Sequence, residues 1–160
     1  MAKNTSKSKL LPIYIINGPN LNLLGTREPE IYGHATLGEI EKLCAERARS
    51  HGLATVFLQS NKEGELVEFL QEARTTAAGV ILNAAGYTHT SVAILDAMQM
   101  LKQPVIEVHL SNPARREDFR HLSYVAKAAT GSITGLGVNS YLMAIDAIAA
   151  LLAGPSKNKK

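Results

Sequence analysis

Five short, apolar, β-branched runs alternate along this chain with stretches of helical periodicity, and no other feature limits the fold as tightly. Residues 12–16, 54–59, 79–83, 105–109 and 132–136 read as strands. Helical patterns lie between and after them at 36–51, 64–76, 90–102 and 139–153, with a shorter one at 116–128. The first helix is the best marked. Thr36-Leu-Gly-Glu39 is a capping box, Ile40, Leu43, Cys44 and Ala48 fall on one face, and Gly52 supplies the stop. Strands that are apolar throughout, joined by helices, predict a parallel sheet covered on both faces.

Five such units in 160 residues predict an α/β fold: a flavodoxin-like, doubly wound, five-stranded parallel sheet with helices on both faces. Sheets of this kind bind ligands beyond the carboxyl ends of their strands, where the strand order reverses. The polar clusters of this sequence fall at that rim: residues 17–33 after the first strand, 83–91 after the third and 109–120 after the fourth. The first cluster is roughly three times longer than the usual strand-to-helix connection of about 2–6 residues. It carries Arg27 and Tyr32 together with the amides of Asn17, Asn20 and Asn22, the ingredients of a polar lid over a small molecule.

The length suits one domain, expected over residues 11–153. Residues 1–10 and 154–160 are expected to be disordered basic tails. They hold six of the 17 Lys and Arg and no acidic residue, so the body has 11 basic side chains against 14 acidic ones. A body of net negative charge speaks against a nucleic-acid partner. No apolar run approaches the ~20 residues of a membrane span, and the N-terminus lacks the apolar centre of a secretory signal; a cytoplasmic, soluble protein without a membrane partner is expected. A single cysteine, Cys44, rules out an internal disulfide and falls on a helix's apolar stripe.

Glu107-Val108-His109 ends the fourth strand, and alternation puts Glu107 and His109 on one face. A carboxylate beside an imidazole orients it and stabilises its protonated, proton-donating form. A guanidinium near a phenol stabilises the phenolate, which suits Arg27 and Tyr32 to general base catalysis. Asn83 and His89 offer uncharged hydrogen bonds, and either Thr90 or Ser91 caps the following helix. Leu110-Ser111-Asn112 offers backbone amides and a hydroxyl to an anion. Of Arg115, Arg116 and Arg120, the last two lie one turn apart, and at least one is expected to face inward while the others stay on the surface. There is no dinucleotide fingerprint, phosphate loop, nucleophile elbow or metal-ligand spacing. A flavin or nucleotide carrier of this fold would need a phosphate-cradling first loop and stacking aromatics, yet there is no Trp.

Taken together, Asn17-Gly-Pro-Asn-Leu-Asn-Leu-Leu-Gly, Arg27-Glu-Pro with Tyr32-Gly33, Thr88-His-Thr-Ser-Val, Ile106-Glu-Val-His109-Leu-Ser-Asn and Gly135-Leu-Gly closely resemble type II 3-dehydroquinate dehydratase. The resemblance runs in register from about Pro12 to about Leu152. It implies dehydration of 3-dehydroquinate to 3-dehydroshikimate by anti elimination through an enolate, without cofactor or metal, in a dodecamer built of trimers. It implies that Tyr32 is the base for the C2 proton, that Arg27 stabilises its phenolate from the lid, and that Asn20 helps hold a water against the enolate. His109 is then the acid for the departing C1 hydroxyl, oriented by Glu107. Asn83, His89, Asp96, the Leu110 amide, Ser111 and Arg120 match substrate-binding positions. Two departures stand out: Asn83-Ala-Ala-Gly-Tyr replaces the family's common Asn-Pro-Gly-Ala order, and Leu95 stands where arginine is frequent. An imine route would need a desolvated lysine, and outside the tails only Lys42, Lys62, Lys102 and Lys127 exist, none at the rim.

Overall fold

A computed structural model describes residues 10–155; most of both expected tails lies outside them. β1 (Ile13–Asn17) leads through a 3-10 turn (Leu21–Leu23) and a one-turn helix, α1 (Pro29–Tyr32), into α2 (Leu37–Ser50). There follow β2 (Thr55–Gln59), α3 (Glu63–Thr76), β3 (Gly79–Asn83), a 3-10 turn (Ala85–His89) and α4 (Val92–Gln99). The remainder is β4 (Val105–His109), two 3-10 turns (Pro113–Arg115 and Asp118–Arg120), β5 (Gly131–Thr134) and α5 (Asn139–Ala153). The strands form one all-parallel sheet in the order β2-β1-β3-β4-β5. The chain runs outward from β1 to β2, then crosses back to β3, so strand order reverses between β1 and β3.

Alternation along the strands divides the core in two. Ile13 and Ile15 of β1 pack with Ile40, Cys44, Tyr141 and Ile148 beneath α2 and α5. Tyr14 and Ile16 pack with Leu66, Leu70, Ile94 and Met98 beneath α3 and α4. In β4, Ile106 and Val108 join the first layer and Val105 the second. Glu107 and His109 therefore share the second face, as the alternation predicts.

The capping box of α2 forms as read: the Thr36 amide donates to Glu39 Oε2 at 2.7 Å and the Glu39 amide to Thr36 Oγ1 at 3.2 Å, worth about 1 kcal/mol. Leu43 departs from the expected face. It is exposed, and Ile40, Cys44 and Ala48 alone bury. Ser91, not Thr90, caps α4 by accepting from the Ile94 amide at 2.9 Å. That helix ends at Gln99 rather than 102. Pro104 disfavours helix at the residue before it, and Gln103 instead donates to the Ala73 and Ala77 carbonyls. β5 stops two residues early, because Gly135 turns the chain at φ +84°. The helix expected at 116–128 does not form beyond the 3-10 turn at Asp118–Arg120. The Tyr124 amide donates to the Thr88 carbonyl, and Val125 buries in the second core layer. Tertiary bonding has replaced the helical ladder there.

At the reversal point the loops after β1 and β3 meet closely. The Gly18 amide donates to the Asn83 carbonyl at 2.7 Å, and a Cβ at Gly18 would lie 2.4 Å from the Ala84 oxygen. Only glycine allows this approach. No helix among the described residues is long and apolar enough to cross a membrane.

Candidate active site

A cleft of about 210 Å³ opens at the carboxyl rim between the loops after β1, β3 and β4, below the roughly 300–1,000 Å³ usual for ligand pockets. Its floor is the end of β4. His109 lines the cleft and is 8% exposed. Its Nε2 lies 2.8 Å from Oε1 of Glu107, which is 3% exposed. Glu107 also accepts from Ser123 Oγ and Ser132 Oγ, both at 2.6 Å. Burial opposes ionisation of this carboxyl, but the hydrogen bonds from His109, Ser123 and Ser132 outweigh it and hold Glu107 below its ordinary value. His89 stacks on His109 with ring centroids 6.5 Å apart, and its Nδ1 lies 2.6 Å from the Leu122 carbonyl. Burial lowers the His89 pKa, which favours its neutral imidazole.

The opposite wall is the long loop. It is less irregular than a lid read from sequence alone, because it contains the Leu21–Leu23 turn and α1. Tyr32, the last residue of α1, is half-buried and lines the cleft. The Arg116 guanidinium donates through Nη1 to the Tyr32 hydroxyl at 2.9 Å and lies 5.3 Å from the ring centroid. The Arg27 guanidinium lies 5.5 Å from the same ring. It is 41% exposed and pairs with Glu28 at 3.5 Å. Two cations therefore attend one phenol.

Asn20, at φ +67°, lines the cleft, and its amide donates to Asn61 Oδ1 at 2.9 Å. Asn17 and Asn22 do not join the lid. Asn17 ends β1 fully buried, donating to the Leu58 carbonyl and accepting from the Tyr141 hydroxyl, while Asn22 is exposed away from the cleft. Asn83 lines the cleft from β3, with Nδ2 donating to Tyr141 Oη at 2.8 Å and Oδ1 accepting from the Ala85 amide. Leu110, Ser111 and Arg120 complete the wall.

Asp96 is not brought to this cleft. It stands exposed on α4, because the α4 face toward the core carries Ile94, Ala97 and Met98. The arginine expectation also needs correction: both Arg116 and Arg120 line the cleft, and only Arg115 among the three stays outside it. Sequence reasoning missed the roles of Arg116, Ser123 and Ser132. The four-residue spacing of Arg116 and Arg120 hinted at the first, whereas nothing local marked the serines. Cys44 is buried, with its thiol pushed up to about 12 by burial, and so is an inert core side chain. Among the described residues no cluster of His, Cys, Asp or Glu could hold a metal ion.

The family described as dehydroquinase class II matches residues 11–149. A 3-dehydroquinate dehydratase from Phenylobacterium zucineum (strain HLK1) is 59% identical over 140 residues, covering 88% of this chain and 97% of the relative. One from Caulobacter sp. (strain K31) is 57% identical over 141 residues, covering 88% and 96%. The crystal structure of type II dehydroquinase from Butyrivibrio crossotus DSM 2876 superposes with a TM-score of 0.86 at 39% identity, covering 88% of this chain and 99% of that one. That from Propionibacterium acnes gives 0.84 at 40%, covering 87% and 96%. The chain belongs to the class II dehydroquinase family.

Within this class II dehydroquinase, the Asn83-to-Tyr87 departure has a visible consequence. Ala85 adopts φ +51° and lines the cleft, a conformation that L residues with a Cβ adopt at a cost of roughly 1–2 kcal/mol. Leu95 is half-buried on α4, next to the exposed Asp96.

Proposed function

We propose that the cleft dehydrates 3-dehydroquinate to 3-dehydroshikimate by anti elimination through an enolate, as a step of aromatic biosynthesis in the cytoplasm. A proton alpha to a ketone is only weakly acidic, so the step needs a base and stabilisation of the developing enolate. Tyr32, as phenolate, removes the C2 proton, and the electron pair moves onto the C3 ketone oxygen. Arg27 and Arg116 stabilise the phenolate. A water held by Asn20 donates to the enolate oxygen. Collapse of the enolate then expels the C1 hydroxyl, which leaves as water with a proton from His109. Glu107 holds the imidazole in register. Asn83, His89, the Leu110 amide, Ser111 and Arg120 bind the ring hydroxyls and carboxylate. Asp96, exposed on α4, would meet substrate only in the cleft of a second copy, consistent with a homo-oligomer that we propose to be a dodecamer of trimers.

The observation that carries this reading is one cleft holding a phenol attended by two guanidiniums on one wall and a carboxylate-backed imidazole on another. Among the described residues an imine route lacks a candidate, since Lys42, Lys62, Lys102 and Lys127 are all exposed and none lines the cleft. The deciding assay follows the absorbance of the conjugated enone on adding 3-dehydroquinate, with borohydride as a second arm. Enone formation with no substrate mass added to the protein is expected. No enone, or a stable adduct on any of these lysines, would overturn the reading.

A further inference from the structure

Glu107 has more donors than orienting an imidazole requires. Its carboxylate is gripped from three places: His109 two residues along β4, Ser123 in the turn after Asp118–Arg120, and Ser132 on β5, its register partner across the sheet. The hydroxyl directions are not arbitrary. Ser123 Oγ already accepts from the Ala126 amide at 2.9 Å, so its proton is free to point at Glu107 Oε1. Oε1 then accepts twice, from Ser123 and His109, while Oε2 accepts from Ser132. A proton on either oxygen would turn that acceptor into a donor, so a hydroxyl facing it could no longer donate to that oxygen. A carboxylate cannot donate, so His109 Nε2 must carry the hydrogen in their shared bond. Nδ1 is then the ring nitrogen left for the cleft.

We propose that Ser123 and Ser132 are positioning residues of this enzyme: they hold Glu107 as a carboxylate and thereby fix which nitrogen of His109 delivers the proton. The proposal rests on the reading of His109 as the acid. The titratable and charged groups near Glu107 are few. His109 lies on its own strand, His89 stacks on His109 from the Ala85–His89 turn, and Arg120 faces His89 from the loop after β4. The strand neighbours in register with Glu107 are Leu82 and Ser132, neither of which titrates in this range. Removing a serine therefore removes a donor without disturbing another charge. Because the bonds lower the Glu107 value, losing one must raise it, and the neutral carboxyl must appear at higher pH.

The test combines two readouts on Ser123→Ala, Ser132→Ala and the double variant. Carbon NMR follows the Glu107 carboxyl and nitrogen NMR the His109 ring, while kcat is measured across pH. The Glu107 midpoint should rise by about one pH unit for each donor lost, whereas the acid limb of kcat, set by protonation of the Tyr32 phenolate, should stay where it is in the parent. At neutral pH kcat should stay within a few-fold of the parent, with Nε2 still protonated. Ser132→Thr keeps a hydroxyl and should restore the parent's Glu107 midpoint. Ser132→Cys preserves shape with a weaker donor and should give an intermediate shift if the alanine variant folds poorly. An unmoved Glu107 midpoint in a variant that melts like the parent would overturn the proposal whatever the kinetics. A midpoint that moves as expected while His109→Ala keeps the parent's kcat would leave the serine clamp standing and remove His109 from the acid role.

Discussion

On the β4 side of the cleft, the imidazole is nearly buried and rests on a carboxylate held by two short hydroxyl bonds. On the α1 side, the phenol is half-exposed on a four-residue helix whose capping residue, Glu28, sits at φ +41° without a side-chain cap. The β4 side is built from strand ends fixed by the sheet, so its geometry exists before substrate arrives. The α1 side is built from a loop whose partners come from elsewhere, chiefly Arg116 from the loop after β4. Short helices with few buried contacts open at low free energy. Substitutions on the β4 side should therefore act on the chemistry, and those on the α1 side on chemistry and substrate binding together.

Tyr32→Phe should give the largest effect, lowering kcat by roughly 10³-fold with the melting temperature unchanged, since only the proton-accepting oxygen is lost. Steady-state rates within a few-fold of the parent would remove Tyr32 from the base role and the contrast with it. Arg27→Ala and Arg116→Ala should each lower kcat by about 10²-fold. If both guanidiniums serve one phenolate, the double variant should lose less than the product of the two losses. Full multiplicativity in that cycle would mean that the two arginines act on different groups.

The strand side was the more legible in sequence for the same reason that it is the more rigid. Glu107-Val108-His109 states its own geometry, because a period of two is enough to place both side chains on one face. The strand order and the clustering of polar segments at one rim also followed from alternation and apolar runs. The lid side depends on convergence between distant segments, and so does the grip on the Glu107 carboxylate. Arg116 reaches Tyr32 across 84 positions, and Ser123 and Ser132 reach Glu107 across 16 and 25. No periodicity encodes such meetings. Residues 116–128 do not form the expected helix, because the Leu122 carbonyl is committed to His89, the Tyr124 amide to the Thr88 carbonyl and the Ser123 hydroxyl to Glu107. Asp96 was legible only through resemblance, and a single chain leaves it outside the cleft.

Ala85→Gly should give the smallest effect. Relief of the φ +51° conformation is partly offset by the extra freedom glycine gives the unfolded chain, so stability should rise by no more than about 1 kcal/mol. Chemical denaturation would measure it. A loss of stability would show that the Ala85 methyl packs more favourably than its backbone is strained.

The division of labour between the two sides is tested most directly by deuterium at C2 of 3-dehydroquinate, with the isotope effect on kcat compared in the parent, Arg27→Ala and His109→Ala. Weakening the base side should leave proton removal rate-limiting, so the isotope effect in Arg27→Ala should be as large as in the parent or larger. Weakening the acid side should make loss of the C1 hydroxyl limiting, so the effect in His109→Ala should shrink toward unity. A full, unchanged isotope effect in His109→Ala would contradict the assignment of acid to β4 and base to α1.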